Sequence, residues 1–421
     1  MTILMANKFF FVNGGTDRYF FHMMRHIEQR GHRAIPFSVQ HSISRPSPWL
    51  PYFLPPPGKP DETHYAHLRW TPSTMIRLID RAFYSIEARC RLRRLLKACG
   101  RVDIAYILNI YNYMSPSIIH TLVKHNIPIV MRIGDYNLQC ANYLFLRNGH
   151  PCVLCAQGQY YHALRYRCVK GNAALTWVRV FSMYLHRLLG LYGHVKAFVV
   201  PCRFMKSMLR LGSIPEKKIV VIPSPIDVSS QESIAPQKCD WDYILYFGRI
   251  SYEKGLDTLI DAYQKLDGDQ TPHLVLLGRD YDGETRRLQR RLRKDFEEKI
   301  HFLGFIEGPD LQRWIKGSLF TVVPSRWYDN APMSVYESYA MQRPVLCANI
   351  GGLKEQVEDG VTGRLFEANT TEDLVAALRW MLGNRERLTE MGLRGHAKVL
   401  EENSTEKHLN ALLALFESLV D

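Results

Sequence analysis

Two pairs of charged residues stand at spacings that chemistry can use. In YFGRISYEKG, Arg249 and Lys254 lie five residues apart on a loop between a predicted strand and a predicted helix opening near Gly255. A guanidinium fork and an ammonium point charge beside a helix N-terminus suit a departing diphosphate. In SRWYDNAPMSVYESYAMQ, Asp329 and Glu337 have seven residues between them. Asp329 falls on a loop after the β-branched run Leu319 to Val323, and Glu337 on a helix predicted over Met333 to Met341, with Asn330 or Ser334 as its cap. In open α/β sheets ligands sit beyond the carboxyl ends of the strands, so these two carboxylates can face one polyhydroxylated ligand. Sugar hydroxyls fit.

Three further groups have chemistry in their types. Gly14-Gly15 follows the first predicted strand, where missing side chains let backbone N–H groups approach a phosphate. The pair is not a GxGxxG, and no Walker motif or HExxH occurs. MRIGDYNLQC puts Gly134 and Asp135 at another strand end, the place for a catalytic loop. Cys140, Cys152, Cys155 and Cys168 are separated by eleven, two and twelve residues. They are enough for a four-sulfur zinc site tying down the loop after Tyr136, and equally read as reduced thiols that pack or lie exposed. His150 and His162 read as ordinary surface histidines.

The elements that must position these residues alternate strand and helix throughout. Strands are predicted at Ile3 to Val12, Ala34 to Val39, Asp103 to Leu108, Pro128 to Ile133, Ala197 to Val200 and Lys218 to Ile222, then at Tyr243 to Phe247, His273 to Leu277, Ile300 to Leu303, Leu319 to Val323 and Val345 to Ala348. That rhythm predicts an α/β protein of two doubly wound, Rossmann-like domains facing across a cleft, 1–222 and 241–403, with a linker at 223–240. The helices after Thr371 are expected to finish the second domain, with the last, near 404–421, returning to the first. Arg45 to Pro60, rich in proline, reads as a loop over the cleft. Met75 to Lys97 predicts one or two helices burying Ile79, Phe83, Ile86, Leu92, Leu95 and Leu96. Its other face carries Arg77, Arg81, Arg89, Arg91, Arg93, Arg94 and Lys97, either as solvated charge or as a surface resting on anionic lipid.

The 421 residues suit two domains, and 46% hydrophobic content excludes extended disorder. A net charge of +13 favours an anionic partner. Nucleic acid ranks low, because no recognisable binding module accompanies the charge. Asn7 and Lys8 interrupt the apolar N-terminus, which reads as a buried strand and not a secretory signal. No uninterrupted apolar run of membrane-spanning length is present. Nine cysteines in so long a chain do not form a secreted disulfide framework. A cytoplasmic protein, peripheral on the inner face of the membrane, is the expectation.

Taken together, VNGGTDRYFFHMMRHIEQRGH, IPIVMRIGDYNLQCANYLFLRNG, YFGRISYEKGLDTLIDAY and VVPSRWYDNAPMSVYESYAMQRPVLCANIGGLKEQVEDGVTGRLF resemble the family 4 retaining glycosyltransferases of the GT-B fold. The resemblance implies sugar transfer from a nucleotide diphosphate donor, UDP- or GDP-linked, to a hydroxyl of a glycan or lipid-linked acceptor in cell-surface polysaccharide or glycolipid biosynthesis. It implies donor contacts from Asp329 to sugar hydroxyls, from Glu337 to the ribose, from Arg249 and Lys254 to the diphosphate, and from Gly14 and Gly15 across the cleft. Backbone at Met333, Ser334 and Val335, with Asn330, also belongs to the donor side, and Gly278 and Phe305 mark the neighbourhood of the base. No cofactor is implied for catalysis. Two positions depart from the family pattern: Asp329 stands where Glu is usual, and Gly134 where His often precedes Asp-Tyr. They leave a second reading, a catalytically impaired GT-B subunit that binds nucleotide or a partner glycosyltransferase.

Overall fold

The computed structural model describes residues 1–59, 61, 71–228, 234–266 and 271–420. The first half runs β1 (Thr2–Phe9), α1 (Gly15–Gln29), β2 (Arg33–Val39), α2 (Pro72–Phe83), α3 (Ile86–Cys99), β3 (Ile104–Ile107), α4 (Ile118–Lys124) and β4 (Ile129–Arg132). An irregular excursion follows: a short hairpin of β5 (Leu146–Arg147) and β6 (His150–Pro151), then α5 (Tyr161–Tyr166) and α6 (Ala173–Leu188). β7 (Ala197–Val200), α7 (Arg203–Leu211) and β8 (Ile219–Val221) complete this half. The second half runs β9 (Tyr243–Phe247), α8 (Leu256–Tyr263), β10 (His273–Leu277), α9 (Glu284–Gln289), β11 (Ile300–Gly304), α10 (Gly308–Gly317), β12 (Thr321–Val323), α11 (Met333–Ala340), β13 (Val345–Ala348), α12 (Leu353–Gln356) and β14 (Gly363–Phe366). Three helices close the chain: α13 (Thr371–Gly383), α14 (Arg385–Glu402) and α15 (Thr405–Val420).

Each half forms one six-stranded sheet, ordered β2-β1-β3-β4-β7-β8 and β11-β10-β9-β12-β13-β14. Their strand pairs are parallel. Parallel strands need cover on both faces, and the alternation along β1 shows it. Leu4 and Ala6 join a core with Ile35 and Ile107, while Ile3 and Met5 join another with Phe20 and Tyr106. Leu409, Leu412, Leu413 and Phe416 of α15 belong to the second core, so the C-terminal helix packs on the first domain. The chain crosses between domains twice, side by side. Ile226 bridges Ser404, and Asn403 Nδ2 donates to the Ser224 carbonyl at 2.8 Å. Of the expected linker, residues 229–233 lie outside the described residues.

Three local expectations are corrected. Ile79 and Ile86 are exposed, and Arg81 is the residue buried at the α2–α3 junction. Arg81 donates to the Pro55 carbonyl at 2.6 Å and pairs with Glu87 at 3.3 Å. Positions two apart on a helix face about 200° away from each other, so burying Arg81 turns Ile79 outward. The proline-rich segment packs against the first domain: Phe53 and Leu54 are fully buried, and Arg91 donates to the carbonyls of Pro51 and Phe53. Pro60 lies outside the described residues. Finally, α11 has Pro332 at its N-cap with no side-chain cap, because Asn330 reaches across the cleft instead.

Candidate active site in the interdomain cleft

Arg249 and Lys254 sit on the loop from β9 to α8, and two glycines shape it. Gly248 and Gly255 have φ of +149° and +70°. A Cβ at Gly255 would stand 2.0 Å from the Pro324 carbonyl oxygen, so only glycine lets this loop press against the end of β12. The closeness brings Lys254 Nζ within 2.5 Å of Asp329 Oδ2, and Ser325 Oγ donates to the same oxygen at 2.9 Å. Arg249 pairs with Glu253 at 3.2 Å, and Ser251 Oγ donates to that carboxylate at 2.8 Å. Each cation of the expected diphosphate clamp thus carries a carboxylate partner. Glu253 was not singled out from the sequence, although it stands four residues after Arg249 in the same motif.

Asp329 is buried, and the Gly351-Gly352 turn holds its backbone. Gly352 N–H donates to the Asp329 carbonyl at 2.7 Å, and a Cβ at Gly351 would stand 2.5 Å from that oxygen. Glu337 follows on α11, half-buried. Burial pushes its carboxyl above the usual range, and Arg18 on α1 of the other domain acts in the opposite sense. Of the helix-start amides, Val335 N–H bonds to the Pro332 carbonyl at 3.2 Å. Met333 and Ser334 open the helix, where N–H groups lack intrahelical partners.

The facing wall belongs to the first domain. Asn330 Nδ2 donates to the Gly134 carbonyl at 3.0 Å, while the Tyr136 hydroxyl lies between Asn330 Oδ1 and the Tyr328 carbonyl, 2.8 Å from the latter. Asp135 accepts from Asn137 N–H at 3.0 Å and Nδ2 at 2.7 Å, yet burial holds its carboxyl above the usual range. Lys8 is the one ionisable residue of β1. Burial lowers its pKa, with Asp17 and Asp135 opposing that fall and Arg249 adding to it. The sequence shows Lys8 only as a polar interruption, with Asn7, of the apolar first strand; its place beside the cleft comes from the assembled sheet. Beside it a cavity of about 30 Å³ is lined by Thr16, Asn109, Tyr111, Arg132, Gly134 and Asp135. Arg132 stacks on Tyr19 at 3.9 Å and donates to Ser224 Oγ at 2.8 Å.

Some expected contacts take another form. The Gly14 amide donates to Asp17 Oδ2 at 3.1 Å, and Asn7 Nδ2 to Asp17 Oδ1 at 2.8 Å, so Asp17 organises the Gly14-Gly15 turn. A Cβ at either glycine would meet open space. Gly278 serves the sheet, since a Cβ there would stand 1.7 Å from the Gly248 carbonyl oxygen. Phe305 is half exposed, with Arg279 over its ring at 4.7 Å.

All four clustered cysteines line one cavity of about 20 Å³ with Asn142, Leu146 and Arg147. Cys140 Sγ donates to Asn142 Oδ1 at 2.8 Å. Burial pushes the Cys140 thiol up to about 11 and Cys155 to about 12. The nine cysteines are free, and among the described residues no group of three or more His, Cys, Asp or Glu side chains stands at metal-holding spacing.

Two Rossmann-like domains, each built on a parallel six-stranded sheet and facing across a cleft, define the GT-B fold. Solved GT-B structures superpose over the whole chain: sucrose-phosphate synthase from Thermosynechococcus elongatus with a TM-score of 0.72 at 15% identity, covering 99% of this chain and 98% of that one. Anabaena HepE in complex with UDP and glucose gives 0.66 at 13%, covering 100% of both chains. At these identities the likeness is one of fold. Residues 231–398, which hold Arg249, Lys254, Asp329 and Glu337, match the model of the family described as glycosyl transferases group 1. An uncharacterized glycosyltransferase of Methanocaldococcus jannaschii is 29% identical over 43% of this chain and 50% of its own length. D-inositol 3-phosphate glycosyltransferase of Nocardia farcinica is also 29% identical, over 37% of this chain and 36% of its own. The chain spans half or less of the length of these curated relatives.

Proposed function

We propose that this protein is a retaining glycosyltransferase of the family 4 kind. It moves a sugar from a UDP- or GDP-sugar to a hydroxyl of a glycan or lipid-linked acceptor, in cell-surface polysaccharide or glycolipid biosynthesis. The observation that carries the reading is the meeting of Lys254 with Asp329 in the cleft, with Arg249 on the same loop and Glu337 on the next helix. A shared cation and carboxylate suit a ligand whose diphosphate is anionic and whose sugar offers hydroxyls.

Arg249 and Lys254 hold the diphosphate, while Asp329 accepts from sugar hydroxyls and Glu337 from the ribose. The bond from the anomeric carbon to the diphosphate oxygen breaks as these cations take up the leaving charge. The acceptor oxygen bonds to the same face of that carbon, and its proton passes to a leaving-phosphate oxygen. No protein nucleophile and no cofactor is needed. The Gly134 carbonyl oxygen keeps a second lone pair beside the one bonded to Asn330, and it stabilises positive charge at the anomeric carbon. A backbone carbonyl needs no imidazole at position 134.

A structural zinc on Cys140, Cys152, Cys155 and Cys168 belongs to the same proposal. It is supported by their lining of one cavity and by the preference of zinc for four thiolates.

The transfer reading is tested by nucleotide release from UDP- and GDP-sugars, with and without a lipid extract as acceptor. Release with one donor, lost in Lys254→Ala, is expected. Tight nucleotide binding without release from any donor and acceptor pair overturns it.

A further inference from the structure

Helices α2 and α6 pack on one another, and each leaves an apolar row uncovered. On α2 these are Met75, Ile76 and Ile79, with Ile76 66% exposed; on α6 they are Trp177, Phe181 and Leu188, the first 49% and the last 84% exposed. Helical spacing sets the α6 residues on one side, and the Trp177 and Phe181 rings stack at 4.9 Å. Charge around the α6 row is one-sided, while α2 carries Asp80 beside Ile79. From Tyr136 to Pro215 there is no Asp or Glu, while Arg147, Arg165, Arg167, Lys170, Arg179, Arg187, Lys196, Arg203, Lys206 and Arg210 fall in that stretch. Arg165, Arg167, Lys170 and Arg187 are exposed on or beside α5 and α6, and Arg77 is exposed on α2.

We propose that the α2–α6 face docks on an anionic lipid bilayer, with the aromatic and aliphatic side chains entering the interface and the surrounding Arg and Lys meeting the headgroups. Monomers seldom leave so much apolar surface uncovered without a use. Aromatic rings at headgroup depth, flanked by basic residues, match the chemistry of that interface. Two copies of the chain meeting here would oppose like charges, which disfavours self-association through this face. Among the described residues no helix is long and apolar enough to cross a membrane, so the contact is peripheral.

The test is co-sedimentation of the full chain with vesicles of phosphatidylcholine alone, and of phosphatidylcholine and phosphatidylglycerol in equal parts. Binding to the mixed vesicles is expected, weakening as salt is raised. The double variant Trp177→Ser/Phe181→Ser should bind about tenfold more weakly with its melting temperature unchanged, since both side chains are exposed. Arg165→Gln/Arg167→Gln/Lys170→Gln should lose the preference for anionic lipid. Equal binding to both vesicles, binding to neither, or full binding by the serine variant overturns the proposal. So does a dimer that the serine variant dissolves in a protein that ignores vesicles. Nucleotide release in solution does not depend on this face, so failure here leaves the transfer reaction standing.

Discussion

Asn330 reaches across the cleft to donate its Nδ2 to the carbonyl oxygen of Gly134 at 3.0 Å, while its Oδ1 meets the Tyr136 hydroxyl. One side chain of the second domain therefore fixes the backbone of the facing loop at Gly134. Replacing Asn330 with Ala should leave buried polar groups without partners, costing about 1–3 kcal/mol in stability. Transfer should fall about a hundredfold through misplacement of the Gly134 carbonyl. Tyr136→Phe, which keeps the Nδ2 bond, should lose less of both. Full transfer by Asn330→Ala would show that the carbonyl needs no such support.

The Lys254–Asp329 pair separates catalysis from stability. Lys254→Ala strands a buried carboxylate, which costs about 3–5 kcal/mol, and it should cut turnover about a hundredfold or more. Adding Asp329→Asn removes the stranded charge. The double variant should recover much of the melting temperature and none of the turnover. Recovery of both would reduce Lys254 to a structural ion.

Glu337 and Asp135 give a pH dependence with a definite sign. Burial raises both carboxyls above their ordinary values of 4.5 and 3.8, so the folded chain holds those protons longer than the unfolded one. Stability from these groups is full below the unfolded values and declines as pH rises through the folded ones. Glu337→Gln should therefore flatten that decline and melt higher at neutral pH, while nucleotide binding weakens. A lower melting temperature at pH 7 would contradict the burial of this carboxyl.

His408 acts in the other direction. Burial, aided by the charge of Arg132, lowers its pKa from 6.5 to about 3, and it links Tyr19 to the Pro223 carbonyl. Its contribution is present above pH 6.5 and is lost as pH falls toward 3, because the unfolded chain takes the proton first. Melting curves of His408→Gln should show a shallower loss of stability between those limits than the wild type. An identical slope would remove His408 from the account.

For the four cysteines, metal analysis of the purified chain should find about one zinc, lost in Cys155→Ser with a lower melting temperature. Zinc well below that level, with Cys155 alkylating as slowly before as after chelation, would leave the cluster as buried thiols.

Hydrophobic runs broken at regular intervals were enough to predict two doubly wound domains, because a parallel strand covered on both faces must be apolar along its length. The Tyr243 to Phe247 strand and the Arg249 to Lys254 loop were legible for that reason, as was the spacing of Asp329 and Glu337. Side-chain partnership was not. Lys8 near Asp135 and Asn330 on Gly134 join residues far apart in the chain, and such meetings are settled only when the sheets are assembled. Likewise the sequence determined that α2 is amphipathic. Only the tertiary structure decided that Arg81 would turn inward to the Pro55 carbonyl and Ile79 outward to solvent, because a buried guanidinium must find acceptors while an isoleucine needs none.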